Sequence, residues 1–256
     1  KRPKTERKEF SFVEFVDHVN PRYQWYKHCV ELASVLQRVA DGEILRLMIF
    51  VPPRHGKTEL VSRMFSAYYL YRYPDRFVGL NSYAAELAHI LSRAAQANYR
   101  DAGGELNRKA EAVKHWETND NGGFWAAGVG GPITGKGGHL LIIDDPLKNS
   151  QDAASDVIRE SQKEWYRSTF ATREEPGGAI IVIQTRWNED DLSGWLLNEE
   201  NTDDDEPEGW QVVSLEAICD PDDKPELPKS CTFAIEDWRE PGEALCSELS
   251  LIHISE

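Results

Sequence analysis

Apolar residues recur at three- and four-residue steps across Trp25–Ala40, at Cys29, Leu32, Ala33, Leu36 and Val39. That spacing predicts an amphipathic helix, ended by Asp41-Gly42. A compact apolar run, Leu45–Val51, reads as a strand buried on both faces. It runs through Pro52–Thr58 into an apolar-patterned helix, Glu59–Tyr71. The alternation continues with a short strand at Phe77–Leu80, a helix over Ala84–Tyr99, a strand at Leu140–Ile143, a helical stretch at Asp152–Phe170 and a strand at Ala179–Gln184. Asp120–Gly138 is rich in glycine, holds Phe124 and Trp125, and reads as a hairpin and loop. Short buried strands alternating with helices predict an α/β domain with a mainly parallel sheet. After Asn198 the pattern fades: Trp210–Leu215 reads as one more strand, and the chain beyond Ala217 as loop. The expected division is therefore one α/β domain over residues 1–198 and an acidic tail over residues 199–256.

The 256 residues are 40% hydrophobic and 29% charged, in the range of soluble globular chains. No apolar run approaches the roughly 18 residues that span a bilayer. Lys1–Lys8 is basic and polar with no apolar stretch behind it, unlike a secretory signal. Cys29, Cys219, Cys231 and Cys246 are scattered, without metal-ligand spacing, and read as unpaired thiols. The net charge of −15 is unusual for a nucleic-acid partner, but two blocks carry much of it, Glu199–Glu208 and Asp220–Glu226.

Chemistry concentrates where strands end. Pro52-Pro53-Arg54-His55-Gly56-Lys57-Thr58-Glu59 lies between a buried strand and a helix. Backbone N–H groups of such a loop cradle phosphate oxygens; Lys57 would reach the β- and γ-phosphates and the Thr58 hydroxyl would meet Mg²⁺. Val51 stands where the usual first glycine belongs. The strand His139–Ile143 ends on Asp144-Asp145, which suits a metal-directed Asp144 and a water-polarising base at Asp145. The alternative is a pair of capping aspartates ahead of Pro146. Gln184 and Thr185, at the end of a third strand, are both candidates to sense the γ-phosphate, against simply finishing the strand.

VPPRHGKTEL, SYAAELA, GVGGPITGKGGHLLIIDDPLKN and IVIQTRWNEDDLSGWLL, in that order over Arg46–Leu197, together resemble the phage terminase large subunit. The resemblance implies an α/β P-loop NTPase, RecA-like and of the additional-strand type. Such an enzyme hydrolyses ATP with Mg²⁺ and works as a homo-oligomeric ring on a procapsid portal, translocating double-stranded DNA in the host cytoplasm with a small terminase subunit. It further implies a role for the early basic residue Arg54, Mg²⁺ binding by Asp144 and coupling through Gln184-Thr185-Arg186. Asp145 departs from the glutamate of many terminases. Gln24, with His28 close behind, is the candidate for the adenine contact; the alternative for both is a polar helix face. Lys136 occupies the place of an arginine that reaches a neighbouring subunit, with Arg173 and Arg186 as rivals. The family also carries a C-terminal nuclease, for which the residues after Trp195 show no alternating strands, so nuclease activity is not expected here. Leu249–Glu256 does not continue the family pattern. A helicase-like remodeller and a P-loop kinase or nucleotide-binding protein remain as rival readings of the same phosphate chemistry.

Overall fold

The computed structural model describes residues 8–133, 135, 137–199 and 207–246. Nine strands form its centre: β1 (Arg46–Phe50), β2 (Phe77–Ser82), β3 (Leu106–Ala112), β4 (His115–Thr118), β5 (Gly123–Gly128), β6 (Gly138–Asp144), β7 (Glu174–Ile183), β8 (Gln211–Ser214) and β9 (Thr232–Phe233). They make one sheet in the order β3-β4-β5-β2-β6-β7-β1-β8-β9. From β5 to β9 every neighbouring pair is parallel, and β3 and β4 add an antiparallel edge beside β5. The strand that feeds the Pro52–Thr58 loop, β1, does not touch β6. β7 stands between them, with Met48 opposite Val182 and Ile142 opposite Ile181. That inserted strand is the additional-strand arrangement expected above.

Apolar runs without alternation form these strands because helices cover both faces of the sheet. On one face, Leu47, Ile49, Ile142 and Ile183 pack with three helices: α2 (Lys27–Ala40), α3 (Ser66–Arg72) and α4 (Ala85–Asp101). On the other, Met48, Ile143 and Val182 pack under α6 (Asp156–Trp165) and α7 (Leu192–Glu199), with Trp165 and Phe170. A short α5 (Ser150–Ala154) precedes α6. The helix after the Pro52–Thr58 loop opens into a π-helical turn over Glu59–Phe65 before α3. An eight-residue α1 (Phe12–Val19), which the apolar spacing did not announce, starts at a Ser11–Glu14 capping box. It buries Phe12 and Phe15 against Tyr68.

Two expectations need correction. Asp120–Gly138 is more than hairpin and loop, because Gly123–Gly128 forms β5, in register with β2 from Phe77 to Ser82. Its glycines and alanines hide the strand from an apolar-run search, yet Phe124 is fully buried. Nor does the domain end at residue 198. β8 pairs with β1 along Leu47–Phe50, β9 follows it, and Leu215, Ile235 and Leu245 join the main core. The acidic block there is also engaged: Glu208 and Glu174 both bind Arg46, at 2.9 Å and 2.7 Å. Lys136 and Leu249–Glu256 lie outside the described residues.

Candidate functional site

Parallel strands deliver their C-terminal ends to one edge of the sheet, and the charged residues singled out above meet there. β1 ends at Phe50, and the loop behind it turns twice through left-handed backbone, at Arg54 (φ 65°) and Gly56 (φ 82°). Glycine tolerates that conformation, whereas at Arg54 it stores on the order of 1 kcal/mol. The turn is pinned from behind: His28 Nε2 lies 3.1 Å from the His55 carbonyl oxygen, and His55 Nδ1 lies 2.9 Å from that of Pro53. Burial holds the His28 imidazole below its usual pKa, with the His55 carbonyl opposing. His28 thus supports the loop from its back.

Lys57 is buried, and its Nζ donates to Thr185 Oγ1 at 3.0 Å and stands 3.7 Å from Asp145 Oδ2. Thr58 Oγ1 donates to Asp144 Oδ1 at 3.1 Å, and Ser62 Oγ to Asp144 Oδ2 at 2.5 Å. Asp144 is only 2% exposed. Burial pushes its carboxyl up to about 6, against the pull of Ser62, Thr58 and Lys57. Asp145 is different. Its side chain keeps 33% exposure, its backbone is left-handed (φ 44°), and its Oδ1 accepts the Thr185 N–H at 2.8 Å. Two adjacent carboxylates therefore differ in role-defining ways: one is sequestered among hydroxyls, the other opens on a cavity of about 470 Å³.

Pro53, Arg54, Gly56, Lys57, Thr58 and Glu59 line that cavity together with Asp145 and Thr185. Glu59 is tied to Arg63 one turn on. Between the two sensor candidates, the sheet alternation separates them. Thr185 faces the cavity, while Gln184 is buried and accepts from Ser193 Oγ at 2.7 Å. Arg186 is turned aside, its Nε 2.7 Å from the fully buried Asp191 and its guanidinium over the Phe50 ring. Arg173 precedes β7 and so lies at the opposite edge of the sheet. Gln24 is exposed, accepts from the Tyr26 hydroxyl at 3.0 Å and is not among the residues lining the cavity.

Sequence reasoning missed Ser62, Arg63, Tyr83, Lys148, Trp187 and Asp191. Ser62 carried a usable signal, since it falls one helical turn after Thr58. Asp191 carried none; its partner Arg186 is fixed by how the chain folds after β7. For Mg²⁺ the donor set fits: a buried carboxylate beside a threonine hydroxyl offers hard oxygen ligands, and Mg²⁺ takes few protein ligands when phosphates supply the rest. The Ser82 hydroxyl supports that fit. It is buried with no partner among the described residues, on the strand position in register with Asp144.

A strand, a Gly-Lys-Thr loop and a helix, with a carboxylate two strands away and one strand inserted between, define a P-loop NTPase fold. A model of the terminase large subunit, T4-like-virus type, N-terminal part, matches residues 48–250, and the chain belongs to that family. Among solved structures, the large terminase of bacteriophage HK97 aligns with a TM-score of 0.55 at 16% identity, over 84% of this chain and 44% of that one. The large terminase of the thermophilic bacteriophage D6E, solved with ADP, aligns with a TM-score of 0.46 at 9% identity, over 75% and 45%. The chain thus spans less than half the length of either. No curated protein matches it.

Proposed function

We propose that this domain binds ATP with Mg²⁺ in the cavity, hydrolyses it to ADP and phosphate, and uses the reaction to drive double-stranded viral DNA into a procapsid. The observation that carries the reading is the convergence of Lys57, Thr58, Asp145 and Thr185, from three strand ends, on one cavity, with Asp144 bonded behind Thr58. The loop amides and Lys57 bind the β- and γ-phosphates. Thr58 and Asp144 hold the ion, which neutralises phosphate charge when bound.

Asp145 is the base. Its Oδ1 is engaged by the Thr185 N–H, so Oδ2 takes the proton of the attacking water. The water oxygen bonds to the γ-phosphorus as the bond to the bridging oxygen of ADP breaks. Lys57 Nζ carries three donors and gives one to Thr185 Oγ1, so a phosphate that takes another is linked through Lys57 to Thr185. That link is the coupling route, because Thr185 adjoins Arg186 and its buried partner Asp191.

DNA is gripped through its backbone without sequence readout. The active assembly is a homo-oligomeric ring on the portal, served by the small terminase subunit in the host cytoplasm, with the whole sheet through β9 belonging to the motor. Within this subunit Arg186 is committed to Asp191, which leaves Lys136 and Arg173 as cations for a neighbour's nucleotide. Phosphate release by the purified chain, stimulated by portal-bearing procapsids and lost in Lys57→Ala, is the expected result. Turnover of Lys57→Ala equal to the parent chain would overturn the reading.

A further inference from the structure

More hydroxyl chemistry surrounds Asp144 than the nucleotide reading uses. Thr58 and Ser62 lie one helical turn apart and take one carboxylate oxygen each, Oδ1 and Oδ2. Ser62 is fully buried, so its hydroxyl serves the carboxylate and not solvent. A third hydroxyl approaches from the sheet. Ser82 ends β2 in register with Asp144 on β6. Register partners in a parallel sheet send their side chains to the same face, with the strands about 4.8 Å apart. Ser82 is fully buried, and its Oγ has no hydrogen-bond partner among the described residues. A buried hydroxyl left unpaired is unfavourable, and one beside a sequestered carboxylate in a hydroxyl cluster marks a place for a polar guest.

We infer that Ser62 and Ser82 are positioning residues for the magnesium ion, Ser62 by fixing the Asp144 carboxylate and Ser82 by hydrogen-bonding a water of the ion's shell. The inference rests on the Mg-ATP reading. Mg²⁺ gives up its waters reluctantly and keeps several of them, so those waters need protein partners. Partners behind the direct ligands are commonly worth 10- to 100-fold in metal affinity. Ser62 thus bonds the Asp144 carboxylate from the helix after the loop, Ser82 stands beside it on β2, and neither serine lines the cavity.

The test uses the full chain, Mn²⁺ as a paramagnetic stand-in and ATPγS. Ser62→Ala and Ser82→Ala should each weaken Mn²⁺ binding in the presence of ATPγS by about 10-fold. ATPγS affinity measured in EDTA should stay unchanged, and Ser62→Thr should restore Mn²⁺ binding. Ser82→Ala should leave thermal stability without metal unchanged or raised, since it removes an unpaired group; a loss would mark a merely structural serine. Should Ser62→Ala fail to fold, Ser82→Ala and Ser62→Thr carry the comparison. Parent-like Mn²⁺ affinity in both alanine variants would overturn this inference alone. A parent chain that binds no Mn²⁺ with ATPγS would overturn the Mg-ATP reading, and this inference with it.

Discussion

The two edges of the sheet handle charge in opposite ways. At the edge where the parallel strands begin, Arg46 forms a two-bond fork with Glu174, at 2.7 and 2.8 Å, and a third bond with Glu208 at 2.9 Å. Every charge in that cluster has its partner. At the edge where the strands end, Asp144 is buried among hydroxyls with its pKa raised, Lys57 stands between Thr185 and Asp145, and two non-glycine residues hold left-handed backbone. Partnered charge ties strands together. Charge held without full compensation, at some cost in stability, is the form that a binding site takes.

If that contrast is right, substitutions at the strand-end edge should change activity more than stability, and those at the other edge the reverse. The largest effect is expected at Lys57. Lys57→Ala should lower ATP turnover by about 10³-fold and weaken ATP binding, read by phosphate release and a fluorescent nucleotide. Asp145→Asn should also cost on the order of 10²- to 10³-fold in turnover while ATP stays bound, because the amide cannot take the water's proton. A variant that lost ATP affinity in step with turnover would remove Asp145 from the role of base.

Asp144 sharpens the comparison further. Its folded pKa of about 6 lies above the ordinary value of 3.8, so the folded chain binds that proton more tightly than the unfolded one. The penalty is absent below about pH 4, grows as pH rises to 6 and is full above it. In metal-free buffer at pH 7.5, Asp144→Asn should therefore stabilise the chain by up to about 3 kcal/mol while abolishing metal-dependent nucleotide binding. The stability gain should vanish near pH 4. A variant less stable than the parent at pH 7.5 would show that the hydroxyls compensate the charge fully.

The smallest effect is expected at the opposite edge. Arg46→Ala leaves two carboxylates without their partner and should lower unfolding free energy by about 2 kcal/mol, measured by urea denaturation. Turnover of the folded fraction should be unchanged. A large loss of turnover at unchanged stability would tie the two edges together and break the contrast.

Much of the site could be read from order along the chain. Lys57 and Thr58 follow a buried strand, Asp144 and Asp145 end another, and Thr185 ends a third. Those placements are local, since a strand end and the residue after it are neighbours in sequence. The choice between Gln184 and Thr185 was not legible, because it depends on which sheet face each residue meets. Ser82 was invisible for a related reason: only the pairing of β2 with β6 sets it beside Asp144. β5 escaped because Gly123–Gly128 lacks the branched residues that mark a strand, and it is held by its neighbours and by stacking of Phe124 on Trp116.

The sequence by itself determined the α/β alternation, the Pro52–Thr58 loop between strand and helix, and the carboxylate pair, because hydrophobic period and strand-end chemistry act over a few residues. Tertiary structure alone decided the insertion of β7 between β1 and β6, the recruitment of β8 and β9 past the acidic block, and the ring of hydroxyls on Asp144. Those features depend on pairings between residues distant in the chain, such as Ile142 with Ile181, Ser82 with Asp144 and Leu47 with Gln211. Loop closure at that separation is set by the collapse of the whole core and carries no local pattern.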